Sequence, residues 1–144
     1  MSASAIADAL VTMLSATSAL GTGSVATNYS VLESSSGSCA VVSWTGFTSN
    51  PDTFGDPRER SCQWTMLIQG FVKDEGDPVA TMNRVLATVD TIQAVINSDD
   101  TLQGTVEETL QLRGDRDPDT AVLTGGMTWL PLRVEVDCQE YQGG

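Results

Sequence analysis

The stretch DPVATMNRVLATVDTIQAVIN, Asp77 to Asn97, decides how this chain is read. Asp77 has the chemistry of a helix cap, because its carboxylate can accept from backbone N–H groups that a first helical turn leaves unpaired. Pro78 follows at the first helical position, where its missing N–H costs nothing and its fixed φ suits the helix. Val79, Met82, Leu86, Val89, Ile92 and Ile96 then recur every three or four residues, with Val85 and Val95 widening the stripe. Asn97-Ser-Asp-Asp100 stops the pattern. A helix with one apolar stripe must bury it against another layer, and the flanking segments are strands.

Immediately upstream, residues 59–73 alternate, with Cys62, Trp64, Met66 and Ile68 on one face and Ser61, Gln63, Thr65 and Gln69 on the other. Leu67 and Phe71 fall out of phase, which predicts either a bulge or a face covered on both sides. Further back, Thr48-Ser-Asn-Pro-Asp-Thr-Phe-Gly-Asp-Pro57 is dense in turn residues and predicts a long loop over 47–59. Long loops in small domains are more often functional than idle. Residues 38–47 are β-branched and aromatic, and are expected to form a hairpin with the alternating residues 24–32 across the turn Glu33-Ser-Ser-Ser-Gly37. Residues 3–16 carry Ala3, Ile6, Ala7, Leu10, Val11 and Leu14 at helical spacing, with Gly21 and Gly23 beyond them. Downstream, strands are predicted at about 104–113 (Val106, Leu110, Leu112) and at 127–139, where Leu130, Leu132, Val134, Val136 and Cys138 alternate with Pro131, Arg133, Glu135, Asp137 and Gln139. Between them lie the polar run Gly114-Asp-Arg-Asp-Pro-Asp119 and the turn Gly125-Gly126, and residues 140–144 read as a loose tail. The order α-β-β-β-α-β-β predicts one α+β domain over 1–144: a sandwich of a mainly antiparallel sheet with two helices packed on one face.

Composition narrows the function classes. The chain has 144 residues, 40% of them hydrophobic, enough for a core without covalent staples. Only 18% are charged, against about 25–35% on a typical free surface, so much of this surface suits being covered by neighbours. The net charge is −12, and the seven basic residues form no stripe. Binding to nucleic-acid phosphates is therefore disfavoured, although an acidic wall lets DNA slide past by repulsion. Cys39, Cys62 and Cys138 form no CxxC pair, so they read as buried thiols, or as one disulfide with a thiol left over. Met1 to Leu14 lacks a basic start and contains Asp8, a poor secretory signal. No apolar run approaches a membrane span, and a reducing cytosol is the expected setting.

Candidate chemistry is sparse. The sequence has no histidine, which removes the commonest general base and any Ser-His-Asp triad. No phosphate-cradling glycine motif is present. Glu107 and Glu108 would point to opposite faces of a strand and so would not converge. Asp115, Asp117 and Asp119 alternate as in a calcium loop, but the glycine and closing glutamate such a loop needs are not at the required offsets. The expectation is a protein that is not an enzyme and uses no cofactor or metal. Arg58 and Arg60 flank the long loop, and with Phe54 on it they are the candidate interface residues, cations suited to carboxylates on a neighbouring subunit. Trp44, Trp64 and Trp129 all fall in strands, where core packing is the default and interface anchoring the alternative.

The layout resembles the tail-terminator family of long-tailed bacteriophages, together with related tail-completion and neck proteins. The features that carry the likeness are a short N-terminal helix, a hairpin, and Arg60-Ser-Cys-Gln-Trp64-Thr-Met-Leu-Ile68 leading to the Asp77-Pro78 helix. That helix closes on Ile92-Gln-Ala-Val-Ile-Asn-Ser-Asp-Asp-Thr-Leu102, and Gly126-Met-Thr-Trp129 opens a last strand ending Val134-Glu-Val-Asp-Cys138. The likeness is one of arrangement and spans nearly the whole chain. It implies an α/β sandwich that forms a homohexameric ring in the virion, assembled in the host cytoplasm. Such a ring caps the tail tube, ends its polymerisation and meets the head-tail connector, with DNA passing through the lumen unbound. A neck or tube protein is the nearest alternative, and a small cytosolic binding module a more distant one.

Overall fold

The computed structural model describes residues 3–17, 20, 25–28, 37–51, 60–74, 76–99, 101–106, 108–116, 122–124 and 127–142. In chain order these form α1 (Ala3–Ser15), β1 (Val25–Ala26), β2 (Ser38–Pro51), β3 (Arg60–Lys73), α2 (Pro78–Asn97), β4 (Glu108–Arg116), β5 (Val122–Thr124) and β6 (Met127–Gln142). The strands form one sheet in the order β1-β2-β3-β6-β4, with β5 also on β6. Every pairing is antiparallel except β1 on β2. The architecture is the α+β fold read from the sequence.

Capping sets the start of α2 as expected. The Asp77 carboxylate accepts from the backbone N–H groups of Val79 and Ala80, at 3.1 and 3.3 Å, and Pro78 occupies the first helical turn. At its far end the backbone N–H of Ser98 returns to the carbonyls of Ala94 and Val95. Both helices lie on the same face of the sheet. Ile6, Leu10 and Leu14 of α1 and Val85, Ile92 and Ile96 of α2 share one core with Val42, Met66, Ile68, Leu132, Val134 and Val136. The opposite face holds a smaller cluster of Cys39, Val41, Phe71 and Trp129.

That second cluster explains why Phe71 broke the alternation, and Leu67 is buried on the same side of β3. This half of β3 is therefore covered on both faces. The irregularity in its pairing with β2 lies at Trp44 to Gly46 of β2, where two residues span the space of one. Cys39, Cys62 and Cys138 are buried free thiols.

Several local expectations change. Residues 140–142, expected in a loose tail, continue β6 and pair with Arg60 to Cys62 of β3, and the short strand β5 was not expected from the sequence. Val25 and Ala26 pair with Ala40 and Val41 in parallel, whereas a hairpin joins antiparallel strands. The region 24–32 is therefore not the hairpin partner of β2, and its residues 29–36 fall outside the described ones. The loop expected over 47–59 is shorter, because β2 continues to Pro51, paired with Arg60. Its polar composition suggested turns, but ladder pairing to β3 overrides that local preference; residues 52–59 lie outside the described ones. Finally, β4 begins at Glu108, not near 104. Residues 101–106 form a turn in which Leu102, Gln103 and Gly104 have φ of 47°, 60° and 79°, a left-handed path that no strand follows. Asp99 holds this turn. Its carboxylate accepts from the Thr101 N–H (3.1 Å), the Thr101 hydroxyl (2.8 Å) and the Gln103 N–H (2.9 Å). Leu102 and Val106 are thereby turned into the core.

Candidate functional site

The apolar residues of α2 are not all used by the core. Its buried face is Thr81, Val85, Thr88, Ile92 and Ile96. Of the stripe read from the sequence, Val85, Ile92 and Ile96 lie on this face. In the N-terminal half Val79, Met82 and Leu86 stand exposed, Leu86 to 55%. They share one flank of the helix by their spacing. Below that flank, Met82, Val85, Leu86 and Val89 form one wall of a groove of about 470 Å³, and Leu112, Leu132 and Val134 of β4 and β6 form its floor. The floor is open because α2 packs on β3 and β6, leaving β4 as an uncovered margin of the sheet. Arg133 is the single charged residue lining the groove.

A second apolar surface lies on the same face of the sheet, where Trp44 shares the lining of a concavity with Ala3, Ser4, Ala7 and Asp8 of α1. Trp44 and Phe47 of β2 are 52% and 57% exposed. Phe47 stacks obliquely on both tryptophans beside it: ring centroids are 6.3 Å apart for Trp44–Phe47 and 5.2 Å for Phe47–Trp64, within the range of favourable aromatic pairs. The bulge between Trp44 and Gly46 creates this grouping. Strict alternation would send residues 44 and 47 to opposite faces. The shift in register sets Trp44 opposite Met66 and Phe47 opposite Trp64, so both rings emerge on one side. Trp129, by contrast, is buried. Core packing holds for Trp129, while Trp44 is half exposed.

The other face of the sheet carries the polar chemistry. Arg113 of β4 donates to Glu135 (2.6 Å) and to Asp137 (3.0 Å), and Arg133 donates to the other oxygen of Glu135 at 3.1 Å. The Thr65 hydroxyl of β3 donates to Asp137 at 2.8 Å. This network ties β4, β6 and β3 together across their register. The hydrogen bond from Arg113 holds the Glu135 carboxyl below its ordinary range, with the charges of Arg113 and Arg133 acting the same way against partial desolvation. Glu135 thus stays ionised near neutrality, and it is engaged on both oxygens. With their oxygens taken by Arg113, Arg133 and the Thr65 hydroxyl, the two carboxylates form a cross-strand clamp.

Of the residues singled out from the sequence, Phe54 and Arg58 lie outside the described residues. Arg60 opens β3, opposite Pro51 and Gln142. Asp115 lies in β4, while Asp117, Asp119 and Glu107 also fall outside the described residues. Among those described, no three His, Cys, Asp or Glu side chains come together as a metal site. Nor is any helix long and apolar enough to cross a membrane. The exposed surfaces around Phe47 and Leu86 were not chosen from the sequence. The available signal was the charge pattern: in a chain with 26 charged residues, 34–51 and 61–72 contain none. No protein-family model and no curated protein sequence matches the chain.

Proposed function

We propose that this chain is a structural subunit that closes into a ring of identical copies, a tail terminator or tail-completion protein of a long-tailed phage virion. The observation that carries the assembly half of this reading is the pair of separate exposed apolar surfaces on one chain, around Phe47 and around Leu86. Small soluble domains rarely leave large apolar side chains grouped in contact with water unless another surface covers them. Two such surfaces at different places on one subunit suit head-to-tail contacts, which close into rings when the rotation allows. The phage half rests on the layout described above without its hairpin, which the parallel β1–β2 pairing removes: the short N-terminal helix, β3 leading to the Asp77-Pro78 helix, and the long last strand. In that role the ring is a hexamer standing between the tail tube and the head-tail connector. The net charge of −12 keeps DNA from sticking as it passes through the lumen.

The test is the mass of the purified protein in solution, measured by mass photometry and by sedimentation at high concentration. A discrete closed species of several copies is expected. A protein that remains monomeric into the high micromolar range refutes the assembly. Copy number in purified particles then separates the roles: one ring per particle for a terminator, many stacked rings for a tube protein, and absence from the particle refutes the virion role.

A further inference from the structure

We propose that β4 is a displaceable guard strand: it leaves β6 as a unit while the rest of the subunit stays folded, and the arginine–carboxylate clamp on the polar face sets how often it does so. This inference concerns the single subunit and goes beyond the assembly reading above.

The first observation is how little of β4 is buried. It ends the sheet and pairs with β6 alone. Among its described side chains none is buried: Thr109 and Leu112 are half-buried, and Gln111 and Arg113 are exposed. Its partner β6 is the opposite case, with Leu132, Val134, Val136 and Cys138 all buried. Apolar burial is the main force opposing local opening, so a strand that buries no side chain opens more readily than the strands beside it.

The second is that the ladder is weakened along its length. Thr109 pairs with Cys138 and Gln111 with Asp137, which leaves Leu110 with no opposite residue and breaks the regular bonding there. Gly114 then contributes no side chain. It lacks the positive φ that would call for glycine. A Cβ built on it would lie 3.6 Å from the Arg133 carbonyl oxygen and 3.7 Å from Val134 Cγ2, ordinary contact distances. A strand glycine that its own surroundings do not require loosens the strand.

The third is the nature of the hold. Arg113 bonds to Glu135 and Asp137 of β6 with its own side chain 46% exposed. Ion pairs at that exposure are weak and are screened by salt, so this hold responds to solution conditions as buried apolar surface does not. The flanks are fixed: Leu102 and Val106 are buried ahead of β4, and β5 pairs with β6 beyond it. Release is therefore confined to the stretch between them. It would free the edge of β6 along Leu132 to Gln139 and take Leu112 from the floor of the groove. An unpaired edge is where a further strand adds, and β4 in place blocks that edge.

The experiment is hydrogen–deuterium exchange of the full chain, read by mass spectrometry on peptides from β3, β4 and β6. It is run at the lowest workable protein concentration, so that contacts between copies add no protection. In the wild type the protected amides of β4 should exchange at least about tenfold faster than those of β3. Arg113→Gln should speed β4 a further threefold to tenfold or so, roughly what an exposed pair of ionic bonds supports, and leave β3 unchanged. Salt at about 1 M, where the screening length is about 3 Å, should speed β4 in the wild type and not in Arg113→Gln. Gly114→Ala should act the other way and slow β4 about twofold to fivefold. Exchange of β4 in step with β3 in the wild type overturns the proposal. An Arg113→Gln variant that speeds β3 and β4 alike, or leaves β4 at the wild-type rate, overturns it too.

Discussion

Placing a methyl group on Gly70 is a direct test of how the core is packed. Gly70 lies in β3, flanked across the ladder by Ala40 of β2 and Leu132 of β6, with Leu132 buried. A Cβ built at this glycine would lie 2.7 Å from Leu132 Cδ1, 2.9 Å from its Cγ and 3.3 Å from Cδ2. Carbon atoms pack at roughly 3.5–4.0 Å, so Leu132 would have to retreat by close to 1 Å, and its Cγ cannot do so by a simple swing of the side-chain end. Overpacking of this kind costs about 1–3 kcal/mol. Relieving the backbone freedom of a strand glycine returns about 0.5–1 kcal/mol. At the middle of both ranges Gly70→Ala should therefore lose about 1.2 kcal/mol net. With a urea m-value of about 2 kcal/mol/M, the midpoint should fall by about 0.6 M at unchanged slope.

The second half of the test isolates the cause. Leu132→Ala alone should cost about 2–5 kcal/mol by leaving a cavity. In that background the added methyl meets no Leu132 Cγ, so Gly70→Ala should be neutral or stabilising, a coupling of about 0.5–3 kcal/mol. Unfolding should be followed by circular dichroism at one fixed protein concentration, since any assembly would stabilise the folded state by mass action. A Gly70→Ala midpoint equal to or above the wild type, or equal losses in both backgrounds, would refute the account of Leu132 occupying the space over Gly70.

Other substitutions test the helix and the turn. Thr81 is buried in α2 with no hydrogen-bond partner for its hydroxyl, so Thr81→Val, of similar shape, should stabilise by about 1 kcal/mol; a melting temperature about 3 °C higher is expected. The hydrogen bonds from Gln103 and Thr101 hold the Asp99 carboxyl below its ordinary range. Its stabilising effect is therefore present in full above the unfolded-state value and is lost as pH falls through the lower folded-state value. Asp99→Asn should lower the urea midpoint near neutral pH, and the difference from the wild type should narrow as pH falls below the ordinary carboxylate range. A gap that stays constant with pH would mean that the carboxylate charge does not hold the turn.

How much of this was legible in the sequence varied with how local each signal was. Asp77-Pro78 states the start of α2 within two residues, and the alternation from Leu130 to Cys138 states the inward face of β6, because capping and period-2 burial are decided by neighbours along the chain. The pairing of Val25 and Ala26 with β2 depends on contacts distant in sequence, and the alternating residues 24–32 carry no mark of strand direction. Leu102 shows the limit from the other side. A leucine at φ 47° is not something propensity would select; Asp99 makes it tenable by occupying the backbone donors around it. The candidate interface suffered from the same asymmetry. Arg58, Arg60 and Phe54 were chosen for loop chemistry, whereas Trp44 and Phe47 looked like ordinary strand residues. Only the bulge at Trp44 to Gly46 sets both rings on one face, and a bulge inside an uncharged run has little signature in sequence.

The stripe of α2 is where sequence and structure diverge most usefully. Read by spacing alone, Val79, Met82, Leu86, Val89, Ile92 and Ile96 are one continuous core face. The structure keeps Val85 inside, buries Thr81 and Thr88 beside it, and leaves Val79, Met82 and Leu86 outside. A lone subunit would gain by the reverse, burying the larger side chains and exposing two threonines. Folding of the subunit by itself therefore gives no reason for Leu86 to be apolar. A surface that is covered only after assembly does give one, and it accounts at once for the groove beneath Leu86 and for the half-exposed rings of Trp44 and Phe47. On that argument Leu86 should tolerate a polar residue with little effect on the melting of the subunit and a large effect on its assembly, the dissociation that a merely irregular helix would not produce.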